Sequence, residues 1–132
     1  MGKKMRRVIV CGGREYADAA NLRFELDRII GPYSDGDNYN IHEDLLVITG
    51  GAKGADSLAY EWAMSRGANR IIYPADWKKH GNSAGPIRNQ EMLDEGKPNL
   101  VIAFPGGTGT ADMVRRAKAA GVEVIEIPYE SV

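Results

Sequence analysis

The chain of 132 residues has a single cysteine, Cys11. An internal disulfide is thereby excluded, which fits a reducing compartment and predicts a cytoplasmic protein. Cys11 has two readings, a nucleophile or a small buried residue at the end of a strand. Histidine is equally scarce, with only His42 and His80. Without a cysteine cluster beside them, neither a structural zinc site nor any other bound metal is expected. Charge of one sign is also missing: 17 Lys and Arg stand against 18 Asp and Glu, for a formal net charge of −1. That balance offers no whole-chain reason to expect nucleic acid or an acidic membrane as partner. No hydrophobic run is long. The basic start Lys3-Lys4-Met5-Arg6-Arg7 leads into an apolar stretch too short for a signal peptide or a membrane span. It reads as a solvated lead-in to the first strand. There is no repeat at solenoid spacing, no low-complexity tract and no second-domain boundary, so residues 1–132 read as one domain.

Two familiar nucleotide signatures are absent as well. No glycine turn is followed by Gly-Lys-Ser/Thr, which argues against a P-loop NTPase. The first turn, Gly12-Gly13-Arg14-Glu15-Tyr16-Ala17, lacks the spacing G-x-G-x-x-G of the dinucleotide fingerprint.

What the sequence does contain is glycine at the ends of apolar runs. Leu100-Val101-Ile102-Ala103-Phe104 enters Pro105-Gly106-Gly107-Thr108-Gly109-Thr110, and a helical stretch from Ala111 to Ala120 leaves it. A strand, a glycine turn and a helix N-terminus make an anion site: glycines let the backbone approach, and the first helical amides lack partners. The alternative is a tight turn with a threonine N-cap and no ligand. The pattern recurs, however. Leu45-Leu46-Val47-Ile48 enters Thr49-Gly50-Gly51-Ala52-Lys53-Gly54-Ala55-Asp56, and Val8-Ile9-Val10 enters Cys11-Gly12-Gly13-Arg14. In a parallel sheet all three turns share the carboxyl edge, where open α/β sheets bind ligands.

Between these turns the chain alternates. Strands are expected near 7–11, 45–49, 70–73, 100–104 and 123–127. A helix is expected from Asp18, a good N-cap, with Leu22, Leu26, Ile29 and Ile30 on one face until Gly31-Pro32. Tyr33 to Glu43 reads as a long surface loop. A second helix carries Leu58, Ala59, Trp62 and Ala63 inward and ends at Gly67. Ala75 to Gly85 reads as another long loop, with Pro86 opening a helix over Ile87–Asp94. Met113, Val114 and Ala117 form the packing face of the last helix, which Gly121 ends. Strict β-α alternation predicts an α/β fold with parallel strands, right-handed crossovers and helices on both faces.

Several residues are candidates for chemistry. Arg88, at a helix start within Gly85-Pro86-Ile87-Arg88-Asn89, is suited to bidentate phosphate contacts or to a plain surface role. Arg14 could hold a phosphate or a ribose, and Lys53 could do so as a point charge. Asp56 could accept from ribose hydroxyls, or only complement the dipole of its helix. Asp76, Trp77, Lys78 and His80 lie on a loop able to close over a base, with Trp77 either stacking or anchoring the surface.

Three segments taken together carry a resemblance: Gly50-Gly51-Ala52-Lys53-Gly54-Ala55-Asp56, Ala84-Gly85-Pro86-Ile87-Arg88-Asn89 and Phe104-Pro105-Gly106-Gly107-Thr108-Gly109-Thr110-Ala111-Asp112-Met113. They resemble the YspA/YpsA-related branch of the SLOG superfamily, which links the DNA-processing protein Smf/DprA with the LOG phosphoribohydrolases. The resemblance covers Val8 to Ile127. It implies a Rossmann-like three-layer α/β/α fold with a five-stranded, mainly parallel sheet. It also implies a nucleotide or nucleotide-derived ligand, no separate cofactor, a homo-oligomer, and a bacterial cell or phage-infected host as the setting. The ligand residues it suggests are Gly12, Gly13, Arg14, Gly50, Gly51, Lys53, Gly54, Asp56, Arg88 and the run Pro105, Gly106, Gly107, Thr108, Gly109 and Thr110.

The LOG signature Pro-Gly-Gly-x-Gly-Thr-x-x-Glu ends in a catalytic glutamate, and here that position is Met113. Asp112 and Arg88 are the candidates for a catalytic role. Asp112 is displaced by one residue, roughly 100° around a helix. The expectation is thus a module that binds a nucleotide or an ADP-ribose-type ligand, as sensor or sequestering domain. The alternatives are a LOG-like hydrolase of a nucleoside 5′-monophosphate, using Asp112 or Asp56, and a nucleic-acid binder, which the charge balance does not favour.

Overall fold

The computed structural model describes residues 5–31 and 44–129. β1 is Arg6–Cys11, α1 Ala19–Ile30, β2 Leu45–Thr49, α2 Ala55–Ser65 and β3 Asn69–Ile72. A short α3, Trp77–His80, runs through a 3₁₀ turn at Gly81–Ser83 into α4, Ala84–Gly96. β4, Leu100–Ala103, α5, Thr108–Ala119, and β5, Glu123–Glu126, follow. The five strands form one sheet in the order β3-β2-β1-β4-β5, and every pair is parallel. This is the parallel α/β architecture that the alternation predicts and the Rossmann-like fold that the resemblance implies.

β1 sits at the centre, with Val8 opposite both Val47 of β2 and Leu100 of β4. Successive strand residues face opposite sides of a sheet, and β1 divides accordingly. Val8 and Val10 join Leu22, Leu26, Ala59 and Trp62 under α1 and α2. Ile9 and Cys11 join Met92, Leu93, Met113 and Ala117 under α4 and α5. Each fully buried Leu, Ile or Phe contributes about 1.5–3 kcal/mol, so both faces are needed. That is why the strands read as near-continuous apolar runs. α1 and α2 are also joined by Asp27, which accepts from Trp62 Nε1 at 3.0 Å and pairs with Arg66 Nη2 at 2.8 Å.

Several elements match their sequence signals. Asp18 caps α1, accepting from Asn21 N at 3.0 Å. Gly67 and Gly121 take the left-handed conformation just past α2 and α5, with φ of 70° and 78°. The expected surface loop from Tyr33 to Glu43 lies outside the described residues. Among the described residues no helix is long and apolar enough to cross a membrane.

Two expectations are corrected. The segment 75–85 is not one long loop. The Asp76 carboxylate accepts from Lys79 N at 3.1 Å and starts α3. Gly81, at φ 57°, turns the chain, and α4 begins at Ala84 rather than Pro86. Pro86 is then the third residue of α4, still within the first turn where its missing N–H costs nothing. The last helix begins at Thr108 rather than Ala111, and its N-cap is Gly107, not a threonine. Thr108, Gly109 and Thr110, read from the sequence as turn, are therefore the first helical turn.

Candidate functional site

The three strands that end in glycine turns, β2, β1 and β4, are neighbours in the sheet. Their turns consequently stand side by side at its carboxyl edge, with β1 at the point where the strand order reverses. They are built differently. In the first turn, Gly13 N donates to Pro105 O at 2.9 Å, and Gly13 O accepts from Ala55 N and Tyr16 N, both at 3.2 Å. In the second, the Asp56 carboxylate folds back on its own loop: its Oδ2 accepts from Gly50 N at 3.1 Å and from Ala52 N at 3.2 Å. Ser57 Oγ donates to Ala52 O at 2.8 Å and completes the lock. In the third turn, no side chain caps the N-terminus of α5. The amides of Thr108, Gly109 and Thr110 have no intrahelical acceptors.

A cavity of about 670 Å³ opens over these turns. It brings together Gly12, Gly13, Arg14 and Asp56 with Arg88, and on the far side Gly107, Thr108, Gly109, Thr110 and Asp112. Trp77 of α3 joins the wall, with the Arg14 guanidinium 5.6 Å from its ring centroid. The glycine spacing is required where the turns touch. A Cβ on Gly54, at φ 80°, would stand 2.2 Å from Gly13 O, and one on Gly13 would stand 3.0 Å from Gly106 Cα.

Arg88 projects from the first turns of α4 across the ends of β2 and β3. Its Nη1 donates to Gly50 O at 2.8 Å and Tyr73 O at 3.4 Å, and its Nε to Asn89 Oδ1 at 3.2 Å. No acceptor for its Nη2 is found among the described residues. The guanidinium packs over Gly50, where a Cβ would lie only 2.2 Å from Nη1. Burial pulls its pKa down, and the nearby Asp56 charge opposes that pull. Burial is also the main influence on Asp56 and raises its carboxyl above the ordinary range, while the Ala52 and Gly50 amides, Arg88 and Arg14 pull it back in part.

Asp112 shows the opposite balance. Burial pushes its carboxyl up, but hydrogen bonds from Asn89 and Arg116 and the charges of Arg116 and Arg115 bring it below the usual range. Its oxygens are occupied by Asn89 Nδ2 at 3.0 Å, Arg116 Nε at 2.9 Å and Arg115 Nη2. Held in this way, Asp112 is a fixed anion with two counter-cations, poorly suited to exchange a proton. Cys11 lies on the cavity wall, yet burial, with Asp56 adding to it, pushes its thiol up to about 12, so the thiolate is scarce at neutral pH. The small buried residue is the reading the structure favours. Met113 is completely buried in the core under α4 and α5 and does not reach the cavity.

Not every sequence candidate reaches this wall. Gly50, Gly51, Lys53 and Gly54 do not line it. Gly50 lies beneath Arg88, Gly54 is pressed against the first turn, and Lys53 is exposed. Pro105 and Gly106 line a neighbouring cavity instead. Of the α3 candidates only Trp77 contributes to the wall. Some wall residues carry no role in the sequence reading, among them Asn89 and Arg115. Asn89 joins α4 to α5 by donating to Gly109 O at 3.1 Å and to Asp112. Arg115 follows Thr108 and Asp112 at helical spacing, so its place on their face was available from the sequence.

Comparisons with known proteins agree with this architecture. The Gene 61 protein of Mycobacterium phage D29 is 38% identical over 132 residues, covering 92% of this chain and 95% of that protein. DNA processing protein A (DprA) from Streptococcus pneumoniae superimposes with a TM-score of 0.69 at 18% identity, over 96% of this chain and 51% of that one. This chain thus spans about half the length of that protein. The structural-genomics target TM1055 gives a TM-score of 0.64 at 19% identity, over 91% of this chain and 72% of that one. At such identities the two structures establish the fold. Residues 6–80, from β1 to the end of α3, match the sequence profile of one family, and the chain belongs to it: the YspA, cpYpsA-related SLOG family.

Proposed function

We propose that the cavity binds the phosphate end of a nucleotide or nucleotide-derived ligand, and that the protein acts as a sensor or sequestering module rather than as an efficient hydrolase. One observation carries this reading. The unpaired amides at the start of α5 share a cavity with Arg88 and Arg14. A helix N-terminus supplies aligned N–H groups and partial positive charge. Two guanidinium groups supply bidentate donors. Trp77 offers a face on which a base can stack. Membership of the SLOG family supports a nucleotide as the guest.

A hydrolase reading has one observation in its favour. Asp56, with its raised carboxyl, lines the same cavity, and perturbed acids in clefts are candidates for proton transfer. Against it stand the two amides that occupy Oδ2, and Met113, which puts a core thioether where the LOG signature has its glutamate.

The test is calorimetric titration of AMP, GMP, CMP and UMP, with chromatography of the same mixtures for free base. We expect binding of at least one nucleotide, and release of base far below the usual enzymatic range of about 1–10³ per second. Arg88→Ala should weaken binding by about 1.5–3 kcal/mol. Equal affinity in wild type and variant would remove Arg88 from the site. Base release in the enzymatic range that Asp56→Asn abolishes would establish the hydrolase reading.

A further inference from the structure

Asn89 follows Arg88 in α4, lines the cavity and is 4% exposed. A carboxamide so deeply buried must satisfy both of its ends. Its Nδ2 donates to Gly109 O at 3.1 Å and to Asp112 Oδ2 at 3.0 Å, both on α5. Its Oδ1 accepts from Arg88 Nε at 3.2 Å. These partners settle which way round the amide stands. A carbonyl and a carboxylate accept, and a guanidinium only donates, so the flipped group would set its oxygen against two acceptors and its nitrogen against a donor. Asp112 makes the choice firm, because it is an anion paired with Arg115 and Arg116.

Each end of the carboxamide holds a different half of the site. Arg88 Nη1 is taken by Gly50 O and Tyr73 O, and Asn89 takes Nε. With both nitrogens committed the guanidinium has one orientation, and Nη2 is the donor left for a ligand. On the other side, Gly109 O belongs to the peptide unit whose N–H is that of Thr110, in the first turn of α5. The unit is planar, so a bond to its oxygen also fixes the direction of the Thr110 amide. That amide is among those without an intrahelical acceptor. β4 separates α4 from α5 in the chain, so no local signal keeps Arg88 in register with it. Asn89 does so through three bonds.

We propose that Asn89 is a positioning residue for the anion: one carboxamide sets both the Arg88 guanidinium and the Thr110 amide, so that donors from α4 and α5 meet a phosphate already aligned. Donors fixed before binding lose little conformational freedom on contact, which favours affinity. Asp112 gains a part in this that needs no proton transfer. Its charge anchors Nδ2 on α5 and thereby keeps Oδ1 turned to Arg88. This inference rests on the cavity being the phosphate site.

Calorimetry of AMP, GMP, CMP and UMP on wild type, Asn89→Ala, Arg88→Ala and the variant carrying both changes forms a double-mutant cycle, with melting temperatures as the folding control. Asn89→Thr, which leaves a smaller void, replaces the alanine if that variant does not fold. Asn89→Ala should weaken nucleotide binding about tenfold in the wild-type background, the scale of one hydrogen bond to a charged group. On Arg88→Ala it should cost only about threefold, because the guanidinium it aims is gone and the α5 contact alone remains. In proton–nitrogen correlation spectra without ligand, the Arg88 Nε–H, assigned by its absence in Arg88→Ala, should exchange slowly in wild type and fast in Asn89→Ala. A merely structural asparagine would lower the melting temperature and cost the same in both backgrounds. That result overturns the inference, as does a nucleotide affinity or an Nε–H exchange rate that Asn89→Ala leaves unchanged. In each of these cases weaker binding by Arg88→Ala would leave the phosphate reading standing. If none of the four nucleotides binds, or Arg88→Ala changes nothing, that reading falls first and the inference with it.

Discussion

The glycine turns after β2 and β4 look alike in sequence and differ in what their backbone is doing. The turn from Gly50 to Asp56 is closed upon itself. Its amides at Gly50 and Ala52 are held by Asp56, and the Gly50 carbonyl is taken by Arg88. The turn from Pro105 to Thr110 has no such internal carboxylate, and no side chain caps the helix it opens. A backbone amide already bonded to a carboxylate has little to offer a phosphate, whereas one without a partner has everything to gain. The Asp56 carboxylate thus fills, within its own loop, the place that a ligand's anion would take. One glycine turn is closed on itself and the other is open, and the aspartate at the end of the first motif makes the difference.

Substitutions at three positions probe this contrast, in falling order of effect. Gly54→Val should be the most damaging. Its φ of 80° excludes a β-branched residue, and the new Cβ would collide with Gly13 O and Arg14 O of the first turn. The expected loss is about 3–5 kcal/mol, read as a large fall in denaturant midpoint. A midpoint within error of wild type would mean that the closed turn is not rigid.

Asp56→Ala should cost about 1–3 kcal/mol, because it leaves the Gly50 and Ala52 amides without an acceptor in a partly buried site. Asp56→Asn keeps an acceptor and should recover most of the loss. The two also test the sign of the titration. Because burial raises the Asp56 carboxyl above its ordinary value of 3.8, the folded state binds the proton more tightly than the unfolded one. The contribution of this group to stability is therefore fully present at low pH and lost as pH rises through the raised value. Relative to wild type, Asp56→Asn should gain stability as the pH climbs out of the carboxylate range. A difference that does not change with pH would contradict the assigned direction.

Gly109→Ala should have the smallest effect on stability and the most informative one on binding. Nothing lies within 4 Å of its added Cβ, and the residue is helical. Alanine should be neutral or stabilising by about 0.5 kcal/mol. The same methyl group on the cavity wall should weaken AMP, since the backbone can no longer approach the phosphate. Unchanged affinity in calorimetry would argue that the open turn is not the receptor.

The periodicity of the chain determined the order of elements and the parallel sheet. β-branched runs ending in glycine, the Asp18 cap and the glycines past α2 and α5 are local signals, set by backbone sterics and hydrogen bonds within a few residues. Local signals also nominated the site, because three strand–glycine turns in a parallel sheet must share one edge. Tertiary structure decided which turn is open. Whether Asp56 reaches a ribose or its own loop, whether Arg88 is spent on Gly50 O, and whether Asp112 is tied to Asn89 depend on how three segments pack together, the turn 50–56, α4 and α5. It also decided that α3 folds where the sequence reads as loop and sets Trp77 opposite Arg14. No spacing along the chain encodes these contacts. They follow from burial, which raises one carboxylate and leaves the other ionised according to the donors that packing happens to supply.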